Sequence, residues 1–456
     1  MRDVELALRR GHLLTLDSHR RIFPEGTLLI DQGRLVDVGP DQALDGTYHA
    51  RDVVDLAGAV VHPGLVDAHT HVAWHLTRCW KSEEQDPDRL WSELEYPLIT
   101  HIGPRDEELG TALACAEMAL NGTTTFCDTG SCLHLEAAVA GARRIGLRGI
   151  MGYLLADVGL DHPRLKLSSR QCAELLERAI VEFPWDEDHL VGCAACLIGM
   201  GTASDELLRQ ARALADDHGV PVVMHESFCA LAPHDAQRRY QGRLPVPRLD
   251  ELGLLDRPTT LVHMNQVTTA ELEILREKRP AVVHCPTAGM IYGLGAARHA
   301  LFPEMLAAGV PVALGTDSCH WGNNFNLWRS LYLAVALHRE ARARPSVIAD
   351  ATALEMATRH GARAVGLEHA IGSLEPGKQA DLVIHRRDRP ELWPLLFPVR
   401  NLVFGCGGAT IDAVLVQGRY VVRNGRLTNV DLEDLLAEAQ EAALALAHRI
   451  GLVTPL

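Results

Sequence analysis

The sequence predicts an α/β chain: a (β/α)8 barrel of the TIM type with a small β-sandwich domain built from both chain ends. Three observations predict it. Between about Val60 and Leu367, short apolar strands alternate with amphipathic helical stretches. Before residue 60, apolar and polar residues alternate in runs broken by turn residues, the pattern of antiparallel hairpins. The same texture returns after residue 367.

The expected division is 1–60 and 368–430 for the two parts of the β-sandwich, 61–367 for the barrel, and 431–456 for a terminal helix. The first part rests on Val4-Glu-Leu-Ala-Leu8, Gly26-Thr-Leu-Leu-Ile-Asp31 and Arg34-Leu-Val-Asp-Val-Gly39. The second rests on Ala380-Asp-Leu-Val-Ile-His385, Ile411-Asp-Ala-Val-Leu-Val416 and Arg419-Tyr-Val-Val-Arg-Asn-Gly425. Within the barrel, strands are expected at 65–69, 123–128, 149–154, 190–196, 220–225, 260–263, 281–284 and 310–315. Helices are expected over 206–218 and 269–278. A doubly wound sheet competes, but no Gly-x-Gly-x-x-Gly follows the first strand.

Composition narrows the partners. The chain has 456 residues and a formal charge of −15, the wrong sign for general nucleic-acid or anionic-membrane binding. No stretch is long and apolar enough to span a bilayer. No secretory signal is legible at Met1-Arg-Asp-Val-Glu-Leu6. The 11 Cys are scattered and read as reduced thiols. A cytoplasmic enzyme acting on a small molecule is the expectation.

The chemistry gathers at strand ends. His69-Thr-His71 follows the apolar run from His62. Residues two apart on a strand face the same side, so both imidazoles can reach one cation. A bare His-x-His is more often two unrelated polar residues. Here, though, four later strands also finish on a group that can bind metal or move protons: His225, His263, His284 and Asp317. In a parallel barrel these ends share one face, where active sites sit. Cys193-Ala-Ala-Cys196 has metal-knuckle spacing, but it lies in an apolar strand without a second pair, so packing explains it better.

These residues carry a resemblance. Pro63-Gly-Leu-Val-Asp-Ala-His-Thr-His71, Asn121-Gly-Thr-Thr-Thr125, Gly253-Leu-Leu255, His284-Cys-Pro286, Gly315-Thr-Asp-Ser318 with Asn323-Asn324, and Gly372-Ser-Leu-Glu-Pro-Gly-Lys-Gln-Ala-Asp-Leu382 together resemble the amidohydrolase superfamily. The branch is that of guanine and S-adenosylhomocysteine deaminases and triazine hydrolases. The resemblance implies that His69, His71, His225 and Asp317 ligate one Zn2+ or Fe2+, a choice the ligand types leave open. Asp317 and His263 would be catalytic, the first moving the proton of an activated water, the second polarising that water or the developing oxyanion. His284 would line the pocket. Phe228, Trp80, Cys196 and His320 are further substrate-contact candidates; Trp91, Arg298 and His299 are weaker ones. Binuclear relatives often use a carboxylated Lys; none of the four Lys (Lys81, Lys166, Lys278, Lys378) falls on a barrel strand end. One metal is therefore expected. A homo-oligomer, dimer or tetramer, is a family-level expectation.

The chain also departs from the branch. Deaminases there usually carry Glu three residues after the third metal His; here that residue is Phe228, which carries no proton. A Gly-Pro-His-Ala-Pro-Tyr-like stretch is replaced by Gly192-Cys-Ala-Ala-Cys-Leu-Ile198, and a Ser-Asn pair by Ala288-Gly289. The expected activity is hydrolysis by a metal-activated water that cleaves a C–N bond or displaces amine, chloride or thiol from a small N-heterocycle. Cleavage of an exocyclic amide, urea or (thio)carbamate is an alternative, and a catalytically inactive binding barrel another.

Overall fold

The computed structural model describes residues 1–81, 91–199, 201–229 and 243–452. Eight parallel barrel strands run in chain order: Leu65–Thr70, Thr123–Asp128, Arg148–Met151, Val191–Cys193 continued by Ala195–Gly199, Val222–Glu226, Thr259–His263, Ala281–His284 and Val312–Leu314. Every residue in them is buried. Helices cover the outside, so these strands are buried on both faces and show no in–out alternation.

The fourth strand differs from expectation. Residues 190–196 form two pieces broken at Ala194, where Cys196 N–H donates to the Ala194 carbonyl at 2.8 Å. The first piece pairs with the third strand and the second with the fifth. This interruption links the two halves of the barrel wall. The last strand meets the first through backbone N–H groups of Thr316 and Asp317, which donate to the His69 carbonyl at 3.1 and 3.0 Å.

Helix boundaries follow local chemistry. Asp205–His218 starts at Ser204, whose side chain accepts from Leu207 N, and stops at Gly219, whose φ of 69° is left-handed. Thr269–Lys278 opens with a capping box of Thr268 and Glu271. The terminal helix Leu432–Arg449 is capped by Asp431 and packs on Pro104–Leu120.

Both chain ends enter one β-rich domain. Its nine strands form a single hydrogen-bonded network among the described residues. Val60–Pro63 is the hinge of that network: it pairs antiparallel with Leu382–His385 and parallel with the first strand, Arg2–Leu14. Leu8, Leu28, Val61, Leu382 and Leu415 share its apolar core.

A buried ion pair joins this domain to the barrel. Arg148, fully buried on the third barrel strand, donates from Nε to Asp381 at 3.1 Å and from Nη1 to the Glu187 and His189 carbonyls. Asp381 also accepts from Gln417 N at 2.7 Å. Removing one partner strands a charge in a dry interior. Arg148→Ala is expected to destabilise the chain by about 3–5 kcal/mol, measured as a lower urea midpoint. No change in that midpoint would show the pair to be energetically idle.

Candidate metal centre

The C-terminal ends of the barrel strands converge on one cluster. The imidazole centroids of His69 lie 4.8 Å from those of His71 and His225 and 5.3 Å from that of His263. His225 Nε2 is 3.3 Å from His71 Nε2. Asp317 Oδ1 is 3.6 Å from His69 Nε2 and 3.9 Å from His71 Nε2. Donor atoms of His69, His225 and His263 lie within 4.8 Å of one another, as do those of His69, Cys285 and Asp317.

Neighbouring groups orient these rings. His225 Nδ1 is 2.7 Å from the Ile198 carbonyl, which can only accept, so Nδ1 carries the proton and Nε2 offers its lone pair to the cluster. His69 Nδ1 is 2.8 Å from Thr129 Oγ1, which leaves Nε2 facing inward. Asp67, on the same strand as His69, accepts from Thr316 N at 3.0 Å and from Thr316 Oγ1 at 2.6 Å. Burial pushes its carboxyl up to about 7. Asp128, ending the second strand, accepts from Val72 N at 2.9 Å and from Ser131 Oγ at 2.6 Å.

Gly315 explains one motif residue. A Cβ there would stand 2.8 Å from His69 Cβ and 2.9 Å from the His69 carbonyl oxygen. Only glycine lets the last strand approach the first this closely. The backbone is also strained beside it: His263 and Asp317 have φ of 77° and 67°, a region non-glycine residues enter at a cost of about 1–3 kcal/mol each.

The electrostatics suit a cation. Burial, reinforced by neighbouring imidazoles, holds His69 and His71 well below the ordinary histidine range; burial does the same to His263, against the pull of Asp317. His225 is lowered by burial, again opposed by the Asp317 charge. Neutral imidazoles are the ligating form. His69 Nε2 and Asp317 Oδ2 are buried without a hydrogen-bond partner. Unpartnered buried polar atoms are costly, and a divalent cation among these donors would satisfy both. The residues thus fit the ion the sequence implies.

The other candidates are placed as follows. Phe228 stands edge-on to His263 with centroids 4.5 Å apart. His320 is buried, 3.1 Å from Thr77 Oγ1 through Nδ1. His284 lies deeper, stacked on Phe302 at 3.9 Å, with Nε2 3.3 Å from His338 Nε2. Cys196 is buried in the wall against Gly152, its thiol toward the Asp128 carbonyl at 3.7 Å. Trp80 is half-buried against the main core. Arg298 and His299 are exposed. The Trp91 side chain lies outside the described residues.

Sequence reasoning missed several neighbours. Trp321 meets Phe228 edge-on at 5.1 Å. Lys81 Nζ lies 3.3 Å from the Trp321 ring centroid and 3.7 Å from that of Tyr292. Trp74 stacks on His71 at 5.8 Å and on His320 at 5.7 Å. The adjacency of Trp321 to His320 was the one local signal available. All eleven cysteines are free thiols, and no helix among the described residues is long and apolar enough to cross a membrane.

Known proteins share this fold. Residues 60–421 match the amidohydrolase family. A 5-methylthioadenosine/S-adenosylhomocysteine deaminase from Syntrophobacter fumaroxidans is 34% identical over 447 residues, covering 96% of this chain and 98% of the relative. An adenosine deaminase from Xanthomonas campestris with bound zinc superposes with a TM-score of 0.89 at 27% identity, over 98% of this chain and 99% of the other. Atrazine chlorohydrolase from Arthrobacter aurescens complexed with zinc shares the fold, with a TM-score of 0.86 at 22% identity over 96% and 100% of the two chains. A family match across most of the barrel and a relative of near-equal length agree with the cluster described above: the chain belongs to the amidohydrolase family.

Proposed function

We propose that this chain is a mononuclear metal-dependent hydrolase that displaces a leaving group from a small N-heterocycle by water. His69, His71, His225 and Asp317 would hold one divalent ion, Zn2+ or Fe2+. The observation that carries this is the pair of unpartnered buried atoms, His69 Nε2 and Asp317 Oδ2, inside a set of imidazoles kept neutral by burial. A bound dication would lower the pKa of a water toward neutrality and make it a nucleophile at physiological pH.

The chain's own groups do the rest. Asp317 takes a proton from the attacking water and delivers it to the leaving group. His263, held in its strained backbone, points its ring at the same cluster and stabilises the negative charge that develops on oxygen. Phe228 contributes an apolar wall. The named deaminase relatives favour an amine as the leaving group; chloride and thiol stay within the same chemistry. The proposal extends to a cytoplasmic homo-oligomer, dimer or tetramer, which sedimentation would read directly.

The test is a substrate panel on metal-replete enzyme, scored separately for ammonia, amine, chloride and sulfide. It includes 5′-methylthioadenosine, S-adenosylhomocysteine, aminotriazines and chlorotriazines. At least one substituted heterocycle is expected to turn over. Unsubstituted guanine and adenosine are expected to release little ammonia. Efficient ammonia release from either would show that a group other than residue 228 supplies the proton to the ring. Purified protein without stoichiometric divalent metal would sink the hydrolase.

A further inference from the structure

Phe228 leaves no carboxylate three residues after His225, and the neighbouring Glu226 accepts from Ser227 N at 2.8 Å, yet another carboxylate reaches this region from far away in sequence. Glu95 ends a single π-helical turn, Trp91–Glu95, just before the helix Tyr96–His101. It is only 3% exposed. Its Oε1 lies 3.3 Å from His320 Nε2 and 3.5 Å from Trp321 Nε1. Its Oε2 is buried with no hydrogen-bond partner.

Two aromatic bridges tie this carboxylate to the candidate metal centre. On one side, Trp74 stacks between His320 and His71. On the other, Trp321 meets Phe228, which meets His263.

Hydrogen-bond accounting fixes what Glu95 can do. The single Thr77 hydroxyl proton goes to the Trp74 carbonyl at 2.7 Å. Thr77 Oγ1 must therefore accept from His320 Nδ1–H. Glu95 Oε1 is thus engaged by His320 Nε2 at 3.3 Å, whichever of the two donates. In both cases Oε2 remains an acceptor, and a buried acceptor without a donor is costly until a ligand supplies one.

We propose that Glu95, positioned by His320, is the substrate-reading group of this pocket, its Oε2 accepting an N–H from the amidine- or guanidine-like edge of a planar amino-substituted heterocycle packed against the Trp321 and Phe228 rings. This rests on the hydrolytic centre proposed above. It moves polar recognition from the third-histidine strand to the segment after the first strand.

The test is calorimetric titration of the zinc-loaded full chain with 2-aminobenzimidazole, which carries that edge, and with indole, which is planar without it. Glu95→Ala is expected to weaken 2-aminobenzimidazole at least about tenfold, as leaving a buried donor without its partner does, and to leave indole within twofold. Glu95→Gln, which keeps the volume, is expected to lose affinity in the same direction and serves if the alanine variant does not fold. His320→Phe should match the Glu95→Ala loss. His320→Gln, which keeps a donor toward Oε1, should recover to within about threefold of wild type. Equal affinity of wild type and the Glu95 variants for 2-aminobenzimidazole, a parallel loss of indole, or no wild-type binding at millimolar probe overturns the proposal. Zinc stoichiometry measured in the same samples separates this outcome from a failure of the metal centre itself.

Discussion

Asp317→Asn is expected to lower kcat/KM by about a thousandfold or more on whichever panel compound the wild type turns over. The substitution is nearly isosteric. Its amide oxygen can still accept from Ser318 N, which donates to Asp317 Oδ1 at 2.7 Å in the wild type. An NH2 group then replaces Oδ2, the oxygen now buried without a partner. That group neither ligates a cation nor accepts a proton, so both roles proposed for Asp317 vanish together. Metal content separates them: an inactive variant that keeps its metal has lost the proton carrier, and one that loses it has lost a ligand. Turnover within tenfold of wild type would show that the carboxylate does neither. The melting temperature, measured alongside, guards against simple unfolding, because Thr316 and Asp317 also join the last strand to the first.

Exhaustive chelation is the second large effect. It is expected to abolish turnover and lower the melting temperature, and one equivalent of Zn2+ or Fe2+ per chain should restore both. Without an ion, His69 Nε2 and Asp317 Oδ2 have no hydrogen-bond partner. With an ion at a thousandfold its Kd, linkage adds about 4 kcal/mol to the folded state. Elemental analysis with scanning calorimetry reads both quantities. Restoration only at two equivalents would replace the mononuclear centre with a binuclear one. Full activity after chelation would remove the metal from the reaction.

Much of the barrel is legible in the sequence because its strands are short, buried on both faces and free of in–out alternation. Thr123–Asp128 and Ala281–His284 fall where their residues predict, and so does the helix Thr269–Lys278, whose capping box is local. The histidine strand ends are legible for the same reason: period and punctuation place each on one face. The break at Ala194 is not, since it reflects how the fourth strand must pair with two differently placed neighbours. Glu95 is illegible for a stronger reason. Its partner His320 lies 225 residues away, and it sits on a short irregular turn with no periodicity to mark its direction. Trp74 and Lys81 likewise acquire meaning only from what the loops bring against them.

The join between the barrel's first and last strands bears on how the protein is made. Asp67 and Thr316 are 249 positions apart, and contacts of such long range are slow to form because the loop between them must close first. A chain emerging from the ribosome presents His69 and His71 long before Asp317 has been synthesised. A product ended ahead of residue 316 holds the early imidazoles with neither the clasp nor the carboxylate. The proposed centre is therefore complete only once the last barrel strand has been made, and a chain ended before it is expected to bind zinc more weakly than the finished one.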